Sequence, residues 1–362
     1  MELKYLRRAM QIAEQGRGKC SPNPFVGCVI VRDDKVVGEG FTQPWGRDHA
    51  EVQALKKAGE QARGADLYVT LEPCSHYGKT PPCAEAIIKA GIKEVFIGIK
   101  DPNPHVAGKG IAMLEEAGIK VTYNLLLTEI TRQLEYYLTY ITKQRPFVFV
   151  KSAVSIDGKI ADLHGNSKWI TNAKSREKVH QLRAEADAII TGVRTVNHDD
   201  AMLNVRLSGY ENRDPLRVVL DYDLEIELDK KLVKSASEIK TILYTQEKYL
   251  LTAKVKQLRD YNLEVRSAKS QENKFVLKDI LHELRQDNIA VVMVEAGPQL
   301  VSSFVKENLV DKLYYFIAPS LIGGNKCAFQ DIGVENIENK KKLNLFSTEL
   351  YEGDILLTYY FI

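Results

Sequence analysis

A histidine and two cysteines in the first quarter of the chain, His49, Cys74 and Cys83, are of the types and number that hold a catalytic zinc ion. Thiolate and imidazole suit zinc better than they suit hard cations, and a hydrolytic site needs three protein ligands and a fourth position for water. Glu51 stands two residues after the histidine and supplies a carboxylate beside the metal rather than on it. Zinc lowers the pKa of a bound water to about 7, and such a carboxylate can relay the proton as general base and then general acid. Residues two apart do not share a helix face, so His49 and Glu51 cooperate only at a helix entrance. A purely structural metal site is the plainer alternative, and Glu51 favours catalysis.

The surrounding pattern supplies elements to hold these groups. Leu3, Leu6, Met10 and Ala13 fall at helical spacing, and residues 25–31 read as a buried strand that turns at Asp33-Asp34-Lys35 into a second, 36–40. His49 opens a helix that ends at Gly59, residues 66–71 form a strand, and Cys74 and Cys83 flank a turn into the helix 84–90. A strand at 94–99, a helix at 113–117, a strand at 121–123 and one helix over 128–143 complete this half. After Gln144-Arg145-Pro146 a fresh series of strands begins at 147–150, 188–191, 216–220, 239–244 and 290–295, with helices at 175–185, 253–260 and 278–285 between them. Late strands are expected at 313–317 and 355–361. The alternation implies sheets covered by helices, in two domains, 1–144 and 145–362.

Composition narrows the function classes. Lys+Arg 50 against Asp+Glu 48 leaves a formal charge of +2, without the basic field of a nucleic-acid binder. No apolar run reaches the roughly 18 residues of a membrane span, and the N-terminal segment lacks a secretory apolar core. Five cysteines in 362 residues, an odd number, do not form a disulfide framework. The expectation is a cytoplasmic protein with small-molecule ligands and neither nucleic acid nor membrane as partner.

His-x-Glu followed later by Pro-Cys is a zinc-deaminase signature, but here the cysteines are separated by eight residues rather than two. His49-Ala50-Glu51 together with Thr70-Leu71-Glu72-Pro73-Cys74-Ser75-His76-Tyr77-Gly78-Lys79-Thr80-Pro81-Pro82-Cys83 closely resembles the bifunctional riboflavin-biosynthesis deaminase/reductases. Ser21-Pro22-Asn23-Pro24-Phe25-Val26-Gly27 and Asp101-Pro102-Asn103-Pro104 match that family too. The resemblance implies a cytidine-deaminase-like αβα domain followed by a dihydrofolate-reductase-like α/β domain. It also implies zinc on His49, Cys74 and Cys83, with Glu51 catalytic. Asn23 between two prolines is a candidate base-reading amide, while His76 and Lys79 are candidate substrate contacts. The family usually has histidine where this chain has Thr42, whose hydroxyl cannot carry positive charge.

In the second half the clearest local signal is an apolar strand running into Glu295-Ala296-Gly297-Pro298 and a helix. Proline at a first helical position leaves backbone N–H groups open to a phosphate, and there is no GxGxxG fingerprint. Lys151-Ser152-Ala153-Val154-Ser155-Ile156-Asp157-Gly158-Lys159 and Ser167-Lys168-Trp169-Ile170-Thr171 extend the resemblance into a reductase domain. On that resemblance Ala153, Trp169, Thr195, Asp199 and the turn and helix Gly297, Pro298, Gln299, Leu300, Val301, Ser302 and Ser303 hold NADPH. Ser167, Arg183, Leu203, Arg206 and Glu295 hold the sugar phosphate, and Ala201 replaces a usual proline. The substrates implied are pyrimidine ribosyl phosphates, and a homo-oligomer is implied by analogy. Two rival readings stand beside this one. The first is a zinc deaminase of nucleosides or nucleic acid with a non-catalytic C-terminal domain, and the second is a regulator that binds the metabolite and NADPH.

Overall fold

The computed structural model describes residues 3–78, 81–211 and 213–362, and the chain divides into two compact units, Met1–Arg145 and Pro146–Ile362. In the first unit, α1 (Leu3–Ala13) buries Leu6, Ala9 and Ala13 against the sheet. Strands β1 (Gly27–Arg32) and β2 (Lys35–Phe41) pair antiparallel with Arg32 opposite Lys35. Asp33 and Asp34 between them adopt φ of 49° and 60°, the left-handed pair that a two-residue hairpin needs to match strand twist. Helix α2 (Ala50–Ala58) then lies directly on β2. A Cβ on Gly38 or Gly40 would stand 2.3 or 2.2 Å from the carbonyl oxygens of Ala54 and Ala50, so only glycine admits that approach.

Strand β3 (Asp66–Leu71), helix α3 (Cys83–Ala90), β4 (Glu94–Ile99), α4 (Lys109–Glu116) and β5 (Lys120–Thr122) follow, and the sheet order is β2-β1-β3-β4-β5. β1 is antiparallel to β3, whereas β3, β4 and β5 run parallel. The fully buried Leu67, Val69, Val95 and Ile97 of the middle strands meet Ile87, Leu114 and Ile130 from the helices, each such burial contributing roughly 1.5–3 kcal/mol. The single helix expected over 128–143 is two, α5 (Leu127–Gln133) and α6 (Glu135–Thr142). The chain bends at Leu134, and the neighbouring Gln133 amide donates to Met10 O at 2.8 Å and Glu14 Oε1 at 2.6 Å. A tertiary tie to α1 and its following turn overrides helical periodicity there.

The second unit begins with β6 (Phe147–Ser155), four residues of which (147–150) read as strand from sequence. In order come α7 (Ala173–Glu185), β7 (Ala188–Gly192), α8 (Val193–Asp199), β8 (Leu216–Leu220), α9 (Lys231–Lys234), β9 (Thr241–Thr245), α10 (Ala253–Asp260) and β10 (Glu264–Ser267). A small hairpin of β11 (Ser270–Gln271) and β12 (Lys274–Phe275) precedes α11 (Leu277–Gln286), β13 (Val291–Val294), α12 (Pro298–Lys306), β14 (Lys312–Ala318), β15 (Leu343–Tyr351) and β16 (Asp354–Phe361). The large sheet has the order β10-β9-β8-β7-β13-β6-β14-β16-β15. It is parallel from β10 to β14 and antiparallel across the last two pairings. Parallel strands covered on both faces read as unbroken apolar runs, as in Val291-Val292-Met293-Val294. Strand β15 carries no such signal, because it is the sheet edge and no residue of it is fully buried. Among the described residues no helix is long and apolar enough to cross a membrane.

Candidate active sites

In the first unit the loop after β2 ends at His49, the N-cap of α2, whose extended backbone (φ −77°, ψ 167°) turns its ring toward the end of β3. Glu51 lies in the first turn of the same helix and is buried. Cys83 is the first residue of α3, and its backbone N–H donates to Cys74 Sγ at 3.3 Å. His49 Nδ1 stands 3.6 Å from Cys74 Sγ and 3.4 Å from Cys83 Sγ, and the three donor atoms all lie within 4.8 Å of one another. Zinc–sulfur and zinc–nitrogen bonds of about 2.3 and 2.0–2.1 Å at tetrahedral angles give a ligand edge of about 3.6 Å. The donor set therefore fits zinc in both type and spacing.

The electrostatics of the cluster favour a thiolate. Hydrogen bonding from Cys83 and from His49 lowers the Cys74 thiol to about 4, and the Cys74 sulfur and burial push Cys83 the other way. Burial raises the Glu51 carboxyl to about 7, against the pull of His49. A buried base near neutrality is what proton relay needs.

His49, Glu51 and Cys74 line a pocket of about 310 Å³ together with Asn23, Trp45, Arg47, His76, Asp101, Asn103 and Tyr137. The lining is built by Glu72, one residue beyond β3 and 3% exposed. Its Oε2 accepts from the N–H groups of Asp101 (3.1 Å) and Gly108 (3.0 Å), and its Oε1 from those of Gly110 (3.0 Å) and Ile111 (3.3 Å). The carboxylate thereby caps α4 from outside the helix and fixes the loop that carries Asp101 and Asn103. Asp101 accepts from Tyr137 Oη at 3.0 Å, and burial raises its carboxyl to about 6. Thr42 is buried in the wall. Its hydroxyl accepts from Val26 N–H at 3.0 Å and its own N–H donates back to Val26 O at 3.0 Å. Lys79 lies outside the described residues.

In the second unit the candidate groups gather near the carboxyl ends of β6, β7 and β13, where parallel sheets place their ligands. Glu295, just past β13, takes a bidentate pair from Arg183 (2.8 and 2.9 Å) and a third contact from Lys151 Nζ at 3.3 Å. Burial alone would raise this carboxyl, but Arg183 and Lys151 more than offset it and hold it below the usual range. Arg183 also donates to Asn204 O at 2.9 Å, so its fork is engaged within the protein rather than standing free. His180 Nδ1 accepts from Arg206 N–H at 3.2 Å, and burial with Arg183 and Arg206 nearby lowers its pKa to about 4, leaving it neutral at pH 7. Arg206 is exposed, while Leu203 is buried with φ 51°. Behind the loop Arg217 is fully buried and donates to Met202 O at 3.2 Å, Leu232 O at 3.1 Å and Ile239 O at 2.9 Å.

Thr195 on α8 faces the start of α12, where Gly297 is N-cap and Pro298 follows. Arg194 donates to Gln299 Oε1 at 3.3 Å, joining the two helix starts. Trp169 is 68% exposed with the Arg176 guanidinium 4.5 Å from its ring, so it is a surface platform rather than core. Lys168 Nζ donates to Asp199 O at 2.8 Å. Ala153, Ser167, Leu300 and Ser303 are half-buried, whereas Val301 and Ser302 turn inward, Ser302 Oγ accepting from Gln330 N–H at 2.7 Å.

Residues 146–357 match the RibD C-terminal domain, and residues 1–99 match the cytidine and deoxycytidylate deaminase zinc-binding region. The riboflavin biosynthesis protein RibD of Aquifex aeolicus is 41% identical over 99% of this chain and 98% of its own length. The chain belongs to the RibD family. The Escherichia coli RibD is 39% identical, over 89% of this chain and 88% of its own. Among solved structures, RibD of Acinetobacter baumannii superposes with a TM-score of 0.89 at 36% identity, covering all of both chains. A Thermotoga maritima protein described as a diaminohydroxyphosphoribosylaminopyrimidine deaminase/5-amino-6-(5-phosphoribosylamino)uracil reductase gives 0.87 at 35% identity over 99% of this chain and 98% of its own.

As a RibD the chain is a deaminase and reductase of riboflavin biosynthesis, with zinc serving the first activity and NADPH the second. The fold expected from the resemblance, cytidine-deaminase-like then reductase, is the one observed. A deaminase with an idle C-terminal domain and a non-catalytic regulator both fall away, since the RibD reductase match spans 146–357. Sequence singled out neither Glu72, Lys151, His180 nor Arg217. Lys151 and Arg217 are charges inside otherwise apolar strands, and that was the available signal.

Proposed function

We propose that residues 1–144 form the deaminase and 145–362 the reductase of one cytoplasmic, homo-oligomeric enzyme. Their substrates would be 2,5-diamino-6-ribosylamino-4(3H)-pyrimidinone 5′-phosphate and then its deaminated product. The observation that carries the first half is the set His49, Cys74 and Cys83 at ligand-edge spacing, with buried Glu51 lining the same pocket as His49 and Cys74. His49, Cys74 and Cys83 would hold zinc, which when bound makes a coordinated water acidic enough to serve as nucleophile at neutral pH. Glu51 takes the proton of the attacking water and passes it to the departing amine, so that water adds at the amine-bearing ring carbon and ammonia leaves. Asn23 reads the ring through its amide, and His76 and Lys79 contact the substrate.

In the reductase half, Thr195, Asp199, Trp169, Ala153 and the turn and helix 297–303 would hold NADPH. Arg206, Ser167 and Leu203, with the Arg183–Glu295 pair, would hold the ribosyl phosphate. NADPH, when bound, would supply the hydride that the first ribosyl carbon takes up as its bond to the ring oxygen opens. The ring oxygen must gain a proton, and Lys151 is the member of the Glu295 cluster able to give one, because a guanidinium does not deprotonate. The product is the ribitylamino-uracil 5′-phosphate.

Incubation with the diaminopyrimidine substrate, with and without NADPH, separates the two steps by ammonia release and NADPH oxidation. Glu51→Gln is expected to abolish ammonia release while zinc content stays near one per chain. Ordinary turnover by that variant would remove Glu51 from its role.

A further inference from the structure

We infer that His180 is a positioning residue of the reductase, holding the backbone of Arg206 so that its guanidinium meets the substrate, an assignment that rests on the reductase reading above. Residues 200–207, between α8 and β8, have neither helix nor strand. Backbone groups in such a segment find no ladder and need other partners. Side chains supply them. Arg217 donates to Met202 O at 3.2 Å and Arg183 to Asn204 O at 2.9 Å. Val205 N–H donates to Asp214 Oδ1 at 2.6 Å, and Arg206 N–H donates to His180 Nδ1 at 3.2 Å.

His180 and Arg183 stand three residues apart on α7 and so share a helix face. From that face they grip the segment at Arg206 and Asn204. The first grip falls on the residue assigned to the substrate. Arg206 is exposed, and its Nη1 donates to Asn204 Oδ1 at 2.6 Å. Its backbone is thus tied to α7 and its side chain to a neighbour that α7 also holds.

Accepting at Nδ1 puts the ring proton of His180 on Nε2 and requires a neutral imidazole. The surroundings enforce this. Burial, with Arg183 and Arg206 facing the ring and Glu295 only partly opposing them, lowers its pKa to about 4. A proton on Nδ1 would remove the acceptor and set a third positive charge beside the two arginines. His180 therefore serves the site as an acceptor for Arg206 and not as a cation for the phosphate.

The test uses the full chain with NADPH and the deaminated substrate, following NADPH oxidation. His180→Ala is expected to raise KM about fivefold, the scale of one lost hydrogen bond, with kcat changed less than about twofold. Alanine is the better helix former, so a weakened α7 does not account for that loss. His180→Asn, whose Oδ1 can take the place of Nδ1, should restore most of it. In an Arg206→Ala background, His180→Ala should add less than about twofold, because the residue it positions is gone. Independent, multiplying effects of the two substitutions overturn the assignment, as does His180→Asn behaving like His180→Ala. So does a wild-type advantage over His180→Asn that grows as pH falls from about 8 to about 6, which would make the ring a cation on the phosphate. Arg206→Ala with an unchanged KM overturns the reductase reading of Arg206 and this assignment together, a result distinct from independent effects.

Discussion

Replacing Glu72 by glutamine tests whether one side chain builds the deaminase pocket. The carboxylate accepts four N–H bonds, two on each oxygen, and is 3% exposed. Glutamine keeps one accepting oxygen and turns an amino group toward the other two N–H donors. Two buried N–H groups then lose their partner, at roughly 1–3 kcal/mol each, so about 4 kcal/mol in all. In a unit of this size each kcal/mol moves the midpoint roughly 2–4 °C, giving a fall of about 8–16 °C. Heating should be followed by residual ammonia release at saturating zinc, because metal bound to the native state raises apparent stability. NADPH oxidation with the deaminated substrate serves as the reference that does not move. The KM for deamination should rise as well, since the loop bearing Asp101 and Asn103 is released. A midpoint within about 2 °C of wild type and an unchanged KM would refute the reasoning.

Two further outcomes follow from the reductase cluster. Arg206→Ala should raise the reductase KM about tenfold and leave ammonia release untouched, and equal loss of both activities would contradict two separate sites. Glu295 has its folded pKa held below its unfolded value of about 4.3, so its stabilisation is present above that pH and lost as pH falls through the folded value. Arg183→Gln removes the main offset and lets burial raise the carboxyl, reversing that sign. Urea unfolding should therefore show the variant about 3–5 kcal/mol less stable at pH 7, with the gap narrowing as pH falls and closing only below the folded pKa of Glu295. A difference independent of pH would show that Arg183 does not hold the carboxylate charged.

The clustering of His49, Cys74 and Cys83 was legible because ligand chemistry dictates residue type and the helix entrance dictates the spacing of His49 and Glu51. Most of the sheet was legible for a similar reason, since strands buried on both faces must be apolar throughout. What sequence did not yield depends on partners far along the chain. Glu72 is defined by N–H groups 29–39 residues away, and Arg183 and Glu295, read as two ligand contacts, are 112 residues apart and bound to each other. Gln133 splits an expected helix through a bond to a carbonyl 123 residues earlier. Strand β15 escaped because an edge with no buried face leaves hydropathy nothing to mark.

Gly38 and Gly40 have a consequence for tolerance in the engineering sense. Helix α2 rests on β2 where those two residues lack side chains, and it is α2 that brings His49 and Glu51 to Cys74 and Cys83 of the β3–α3 segment. A methyl group on Gly40 would meet Ala50 O at 2.2 Å, short of ordinary contact by about 1 Å, and the strain would fall on the first residue of the helix. A displacement of about that size can cost on the order of a hundredfold in rate. The gauge of the metal centre is thus set by two residues that never touch it, and it works only because nothing is there.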